Sequence, residues 1–258
     1  MPNIPESKPP FSSESGILPQ QSSFSWDALA DQYRRVLDEG YRVHSCAEYV
    51  DAKKAGLPSK VLVNRVDIDF SILKARRLGE VLGALGLHAT FFVRLHAPEY
   101  NPFSFENYRV LKWLRDQGHE IGYHSEIVDQ AAIWGEDAGQ CLRRDIEVLN
   151  RMLGIRVIGV ASHGGRSGLN NLDFWRVHLP EEYGLLYEAY DHEPAFDLFH
   201  NSRYVSDSEW TRWKAYEKGR LLDGDRRPPA EHATEGCPLI YLLVHSDTYY
   251  DSHCYEQA

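Results

Sequence analysis

No window of this chain stays apolar for the roughly 20 residues that a membrane-spanning helix needs. No membrane span is therefore expected. Positive charge is also in short supply. The 28 Lys and Arg face 38 Asp and Glu, a formal balance of −10. Nucleic acids and anionic membranes both reward basic patches, so the balance argues against either as partner. Cysteine is sparse and scattered, at Cys46, Cys141, Cys237 and Cys254. No two stand in C-x-x-C spacing, which argues against a zinc knuckle or a thioredoxin-type redox motif. In a chain of this size such cysteines are expected to be free thiols rather than a disulfide framework. The N-terminal residues show neither a basic stretch nor an apolar one behind it, so no secretory signal is read there. No internal repeat is visible. The expectation is a soluble, cytoplasmic protein whose oligomeric state the sequence leaves open.

What is present is an apolar fraction of 43%, enough for a sizeable core. Residues 1–24 are rich in Pro, Ser, Gln and Glu without periodicity and are expected to form a flexible tail. The folded domain is expected over 25–258. Helical spacing covers Trp26 to Glu39, with Leu29, Tyr33, Val36 and Leu37 on one face. Strand and helix patterns then alternate. Strands are predicted at Val61–Val66, Ala89–Val93, Glu120–Tyr123, Arg156–Val160, Leu185–Tyr187 and Leu239–Val244. Helices are predicted at Ser71–Gly86, with Leu73 in its apolar stripe, at Phe105–Gln117 and at Ala138–Leu153. Between Asp191 and Pro238 the pattern is aromatic, charged and hard to parse. Such alternation predicts an α/β fold on a parallel sheet, either open or closed into a barrel.

The run Val61-Leu62-Val63-Asn64-Arg65-Val66-Asp67-Ile68-Asp69 carries the strongest chemical signal. Residues two apart on a strand project from the same face, so Asp67 and Asp69 stand side by side at the tip of a core strand. Carboxylates held that close repel unless a cation, a proton or a donor intervenes. They could also simply end a strand and cap the helix at Ser71, or form the metal-nucleotide motif of a glycosyltransferase. In parallel α/β folds the functional residues collect at the C-terminal ends of strands. The ionisable residues at those predicted ends include His96, His124, Glu126, Asp129, His163, His192, His245 and Asp247.

These pieces, in this order, resemble the NodB-type polysaccharide deacetylases, carbohydrate esterase family 4, from about Trp26 onward. Val66-Asp67-Ile68-Asp69-Phe70-Ser71 is similar to the family's first motif in its D-x-D form. Ala89-Thr90-Phe91-Phe92-Val93 resembles its TFF strand. Gly118-His119-Glu120-Ile121-Gly122-Tyr123-His124 resembles its GHEIG.H segment, and Leu242-Leu243-Val244-His245 its last motif. Two departures stand out. The family's H-[ST]-x-x-H has a second histidine four residues on, where this chain has Val128. The usual arginine-containing third motif is not evident, and Ala161-Ser162-His163-Gly164-Gly165 follows the next strand instead. That serine-histidine-glycine, and Tyr204-Val205-Ser206-Asp207-Ser208 before Trp210, look like a divergent branch found near bacterial surface-polysaccharide genes.

The resemblance implies a distorted parallel (β/α) barrel in one domain, acting as a metal-dependent N-deacetylase on an amino sugar or polysaccharide precursor. It implies Asp67 as catalytic base, Asp69 and His124 as metal ligands and His245 as catalytic acid. His163 is read as the third ligand, with Glu126 or Asp129 as alternatives. One carboxylate and two imidazoles suit zinc, and tolerate cobalt or nickel. Asp207 or Asp247 could hold His245 protonated. Trp134, Trp210, Trp213, Tyr249 and Tyr250 could stack on a sugar ring. Three other readings stand beside this one: another C–N hydrolase of allantoinase or cyclic-imide type, a non-catalytic carbohydrate-binding relative, and a D-x-D glycosyltransferase.

Overall fold

The computed structural model describes residues 24–56, 59–190, 196–208 and 212–251. Ser25 accepts the Ala28 N–H and starts α1 (Trp26–Asp38), which buries Leu29, Tyr33 and Val36. β1 (Arg42–His44) leads to α2 (Cys46–Ala55), opened by a reciprocal capping box of Ser45 and Glu48. Then follow β2 (Val61–Ile68), α3 (Ile72–Ala84), β3 (Thr90–Val93), α4 (Phe105–Asp116), β4 (Glu120–Ser125), α5 (Ile127–Trp134), α6 (Ala138–Leu153) and β5 (Gly159–Ser162). The remainder is β6 (Tyr187–Glu188), α7 (Leu198–Asn201), β7 (Arg203–Ser206), β8 (Lys214–Glu217), β9 (Arg220–Leu221), α8 (Pro229–Thr234) and β10 (Leu239–His245).

The strands form one sheet in the order β6-β5-β4-β3-β2-β10-β7-β8-β9, with β1 alongside the start of β2. Pairing is parallel from β6 to β7 and antiparallel only at β8 and β9. The fold is thus mixed α/β on a mostly parallel sheet. Among the described residues no ladder joins β6 to β7, so the barrel is not closed by backbone pairing. Side chains bridge that gap: the hydroxyls of Tyr190 and Tyr204 are 3.2 Å apart.

Alternation sorts β2 into two faces. Leu62, Val66 and Ile68 pack outward against the helices. Val61 and Val63 pack inward with Phe92, Ala161, Tyr187, Tyr204, Tyr241 and Leu243. Burying each such aliphatic side chain contributes about 1.5–3 kcal/mol, and a one-residue slip would reverse all of them, so register is tightly specified. Arg65 and Asp67 share the inward parity of Val61 and Val63. The strand therefore delivers them to the interior by the same geometry that builds the core.

Several boundaries differ from the sequence reading. β5 begins at Gly159 rather than Arg156, because Asn150 captures the Val157 N–H and holds that stretch out of the ladder. On α3 the buried face is Ile72, Ala75, Leu78, Gly79 and Leu82, and Leu73 is exposed. α5 was not anticipated, nor was the β7–β8–β9 meander in the unparsed stretch. Its last turn has positive φ at both Lys218 and Gly219, the pairing that a tight two-residue hairpin requires.

The tail expected at 1–24 lies outside the described residues except for Phe24. That residue is buried and stacks on Trp213 at 5.6 Å. Cys46, Cys141 and Cys237 are free thiols, and Cys254 lies outside the described residues. Among the described residues no helix is long and apolar enough to cross a membrane.

Candidate active site

The parallel strands point their C-terminal ends the same way, and their inward positions converge there. β2 brings Asp67 and then Asp69. β10 sets His245 directly beside Asp67 in the register. β4 brings His124, paired with Ala161 of β5, and the residue two beyond Ala161 is His163. Asp207 follows the last residue of β7. Five of the sequence-derived candidates, Asp67, Asp69, His124, His163 and His245, line one cavity, and the sixth, Asp207, lies behind His245.

Asp69, His124 and His163 form a group with one ligand atom from each inside a 4.8 Å span. His124 Nε2 is 3.4 Å from Asp69 Oδ1, and His163 Nε2 is 3.9 Å from the same oxygen. Ligands at the usual ~2.0–2.2 Å from a tetrahedral zinc lie about 3.4 Å apart, so the spacing suits such an ion. The donor chemistry agrees. His124 Nδ1 lies 2.9 Å from the Ala161 carbonyl, which can only accept, so the proton sits on Nδ1 and the Nε2 lone pair faces the group. Asp69 Oδ1 is buried without a hydrogen-bond partner. Burial opposes a charge on His124, yet Asp67 and Asp69 push its pKa up, and carboxylates that attract a proton here would equally attract a cation. The Asp69 carboxyl, although burial works against its ionisation, is held well below the ordinary range by His124, His245 and His163.

Asp67 stands beside this group with a different partner. Arg65, two residues earlier on the same face, donates to both of its oxygens, Nε at 2.8 Å and Nη2 at 2.7 Å. Both side chains are almost fully buried. A bidentate pair is among the few arrangements that make burial of two charges tolerable. Burial would raise the Asp67 pKa, but Arg65 and His124 bring it below the ordinary value, so the carboxylate is ionised. Arg65 had no role in the sequence reading. Its signal was available: an arginine inside an apolar strand, at the parity of Asp67, must find a carboxylate on that face.

His245 is held from behind. Asp207 accepts from its Nδ1 at 2.6 Å and from its backbone N–H at 3.0–3.2 Å. Burial disfavours the imidazolium, yet the Asp207 carboxylate outweighs it and pushes the pKa up to about 9. The Nε2 faces the cavity, 3.8 Å from Asp69 Oδ2. Asp247, the other candidate for holding His245, instead accepts the Phe70 N–H at 3.0 Å.

The alternatives for the third ligand have other engagements. Asp129 accepts five hydrogen bonds, from the backbone and side chain of Ser167, twice from the Arg166 N–H and once from Asn171 Nδ2. It fastens the loop that carries His163. Asn171 completes the clamp by donating to the His163 carbonyl at 3.0 Å. Gly165 is required in that loop, since a Cβ there would lie 1.6 Å from the Leu169 carbonyl oxygen. Glu126 pairs with Arg94 Nη2 at 2.8 Å and lies 3.3 Å from His163 Nδ1, so it stands behind the ring. Burial pushes its pKa up, but His163 and Arg94 bring it down to about 2. Val128, where the resemblance calls for a second histidine, packs against the hydrophobic layer.

The cavity in front of these groups has a volume of ≈ 390 Å³. Its aromatic wall is Tyr190, Phe199, Tyr204 and Tyr216. This corrects the expected platform. Trp213 and Tyr249 are buried in the core, Tyr250 covers Lys74, and Trp134 lies beside His96. Trp210 lies outside the described residues. Three of these aromatics, Phe199, Tyr204 and Tyr216, sit in the stretch the sequence left unparsed, and Tyr190 immediately precedes it. His119 has a structural part, accepting the Ala89 N–H at 3.3 Å.

No protein-family model matches the chain, and no curated protein matches it. Among solved structures it is similar to IcaB from Ammonifex degensii, with 21% identity over 67% of this chain and 78% of that one and a TM-score of 0.48. It is similar to a de-N-acetylase from Aggregatibacter actinomycetemcomitans, at 14% identity, 94% and 92% coverage and a TM-score of 0.48. It is also similar to the BpsB deacetylase domain from Bordetella bronchiseptica, at 13% identity, 93% and 91% coverage and a TM-score of 0.46.

Proposed function

We propose that this protein is a metal-dependent amide hydrolase of the NodB deacetylase type, which removes an N-acetyl group from an amino sugar. The observation that carries the reading is the division of labour around one cavity. Asp69, His124 and His163 bring one ligand atom each to within 4.8 Å of the others, while Asp67 is ionised beside them and His245 is held protonated by Asp207. One carboxylate and two imidazoles favour zinc among the common divalent ions. A divalent ion held there supplies Lewis acidity and lowers the pKa of water.

In this mechanism the side chains divide the proton traffic. Asp67 takes the proton from the attacking water, and Arg65 keeps it ionised and oriented for that task. Gly164 lines the cavity, and its backbone N–H is our candidate for stabilising the developing oxyanion. His245 delivers a proton from Nε2 to the departing amine nitrogen, and Asp207 compensates its charge. The products are acetate and a free amino sugar. The aromatic wall packs against the sugar ring.

The test is zinc content and acetate release from N-acetylated sugars, with allantoin and a cyclic imide as competing substrates. Asp67→Asn should retain zinc and lose about 10²–10⁴-fold in turnover. An Asp67→Asn protein with full activity, or a wild-type protein that neither holds nor responds to zinc, would overturn the reading.

A further inference from the structure

The cavity contains a cation that the chemistry above does not use. Its lining includes two permanently basic side chains, Arg65 and Lys214. Arg65 is committed to Asp67. Lys214 has no ion pair within 4.0 Å among the described residues, and its Nζ lies 5.9 Å from the Tyr216 ring. Lys214 and Tyr216 are two apart on β8 and both line the cavity, while Ala215 between them is buried in the outer core. The ammonium is therefore directed to this side by strand parity, not by a long side chain wandering across the surface.

Its location has a direction as well. β8 pairs antiparallel with β7 so that Lys214 faces Ser206, the residue before Asp207. Asp207 holds His245, the group assigned to the leaving amine. Lys214 thus lies on the His245 side of the cavity, which in the reading above is the side of the departing amino sugar. An unbroken aromatic series lines the same cavity. Tyr190 and Phe199 have centroids 5.3 Å apart, Phe199 and Tyr204 5.1 Å, and Tyr204 and Tyr216 5.7 Å. In a chain with a net charge of −10, a half-buried ammonium on a cavity wall, with no carboxylate partner among the described residues, is suited to receive an anion. The volume of ≈ 390 Å³ is near the low end of the about 300–1,000 Å³ typical of small-molecule sites, so it suits one or two sugar units.

We infer that the substrate is a small anionic amino sugar, and that Lys214 selects it by pairing with a carboxylate or phosphate on the sugar. The inference rests on the amino-sugar reading above, and the two are tested separately. Three probes separate the sources of the anion: N-acetylglucosamine, its 1-phosphate, and 2-acetamido-2-deoxyglucuronic acid. Calorimetric titration is done on zinc-loaded protein carrying Asp67→Asn, so that no probe is consumed, with Lys214 intact or changed. Acetate release is read on the wild type. At least one charged probe should bind about tenfold or more tightly than the neutral sugar, and the tighter of the two identifies the anion. Lys214→Ala should bring that ratio to within about twofold, while Lys214→Arg keeps most of it. High salt should weaken the preference. A merely structural lysine would weaken charged and neutral probes alike. Equal losses, or no preference with Lys214 intact, would overturn the inference. A Lys214-dependent preference without acetate release from any probe would sink the hydrolase reading and leave the anion site standing.

Discussion

The two ends of the parallel sheet each enclose a carboxylate, and they satisfy it in opposite ways. At the N-terminal end, Glu120 on β4 accepts from Tyr187 Oη at 2.7 Å, from Thr90 Oγ1 at 2.5 Å and from the Ala47 N–H at 2.9 Å. The last is an otherwise unpaired donor in the first turn of α2, and Thr90 accepts the neighbouring Cys46 N–H. Every partner is neutral, and burial outweighs them, so the pKa of Glu120 is raised. At the C-terminal end, Asp67 and Asp69 are surrounded by a guanidinium and three imidazoles, and their pKa values are lowered. The first end closes its hydrogen bonds among its own residues. The second leaves Asp69 Oδ1 and the histidine Nε2 atoms facing a cavity. These carboxylates thus separate into one, half-buried, that fastens the fold and two, buried, that are kept charged for a ligand.

The largest expected effect breaks the open end. His163→Ala removes one of three donors from a loop that Asp129 and Asn171 hold independently, so the fold should survive. Zinc affinity should fall by more than the about 10–100-fold typical of losing a residue that merely supports a ligand. Competition with a chelator measures it. If His163→Ala keeps its zinc and Glu126→Gln loses it, the carboxylate is the ligand and the contrast between the ends has been drawn through the wrong side chain.

A smaller effect concerns the charge behind His245. In metal-free protein, the imidazole should titrate near 9, and Asp207→Asn should bring it down toward the ordinary 6.5. Because the folded pKa is the raised one, the stabilisation from this pair is fully present below about pH 6.5. It is lost as pH rises through about 9. Asp207→Asn should therefore cost most stability at mildly acidic pH, about 1.5–3 kcal/mol for a hydrogen bond to a charged group, and little above pH ~9.5. NMR titration and denaturant midpoints across that range measure both. An unchanged His245 titration would mean that Asp207 only fixes the backbone N–H.

How much of this was legible follows from which signals are local. Strand alternation is local, so Asp67, Asp69, His124 and His245 could be read from runs such as Val61–Asp69 and Leu239–His245. The sheet class followed from the same alternation. His163 stood at a predicted strand end, but its role as third ligand was read only with the resemblance, because its loop is shaped by Asp129 and Asn171, 34 residues before it and 8 residues after it. The pairing of Arg65 with Asp67 is also local, but it was obscured by reading β2 as a purely apolar run. The aromatic wall was not legible. Tyr190, Phe199, Tyr204 and Tyr216 come from short elements whose pairing depends on contacts across the sheet, and β7 to β9 have at most four residues each. Trp134 and Trp213 were expected at the site on residue type alone. Type does not distinguish an indole in the core from one in a cavity.

The smallest expected effect tests whether the closed end is as separate as its bonding implies. Glu120→Gln keeps an acceptor for Thr90 and Ala47 and presents an amide to Tyr187, whose hydroxyl can also accept. Its stability cost should be about 1 kcal/mol or less at neutral pH. The wild-type carboxyl has a raised folded pKa. Its stabilisation is therefore fully present below the ordinary value of 4.5 and declines as pH rises through the folded one. Glutamine has no such dependence, so the cost of Glu120→Gln should be greatest near pH 4 and should shrink toward pH 7. Denaturant midpoints of the two proteins across that interval isolate this one group. Turnover should stay within about twofold, because no bond of Glu120 reaches Asp67, Asp69 or the histidines. A tenfold loss of turnover would show that Thr90 and Phe92, on the same face of β3, transmit the state of the lower carboxyl to the upper pair. The two ends would then be one coupled network.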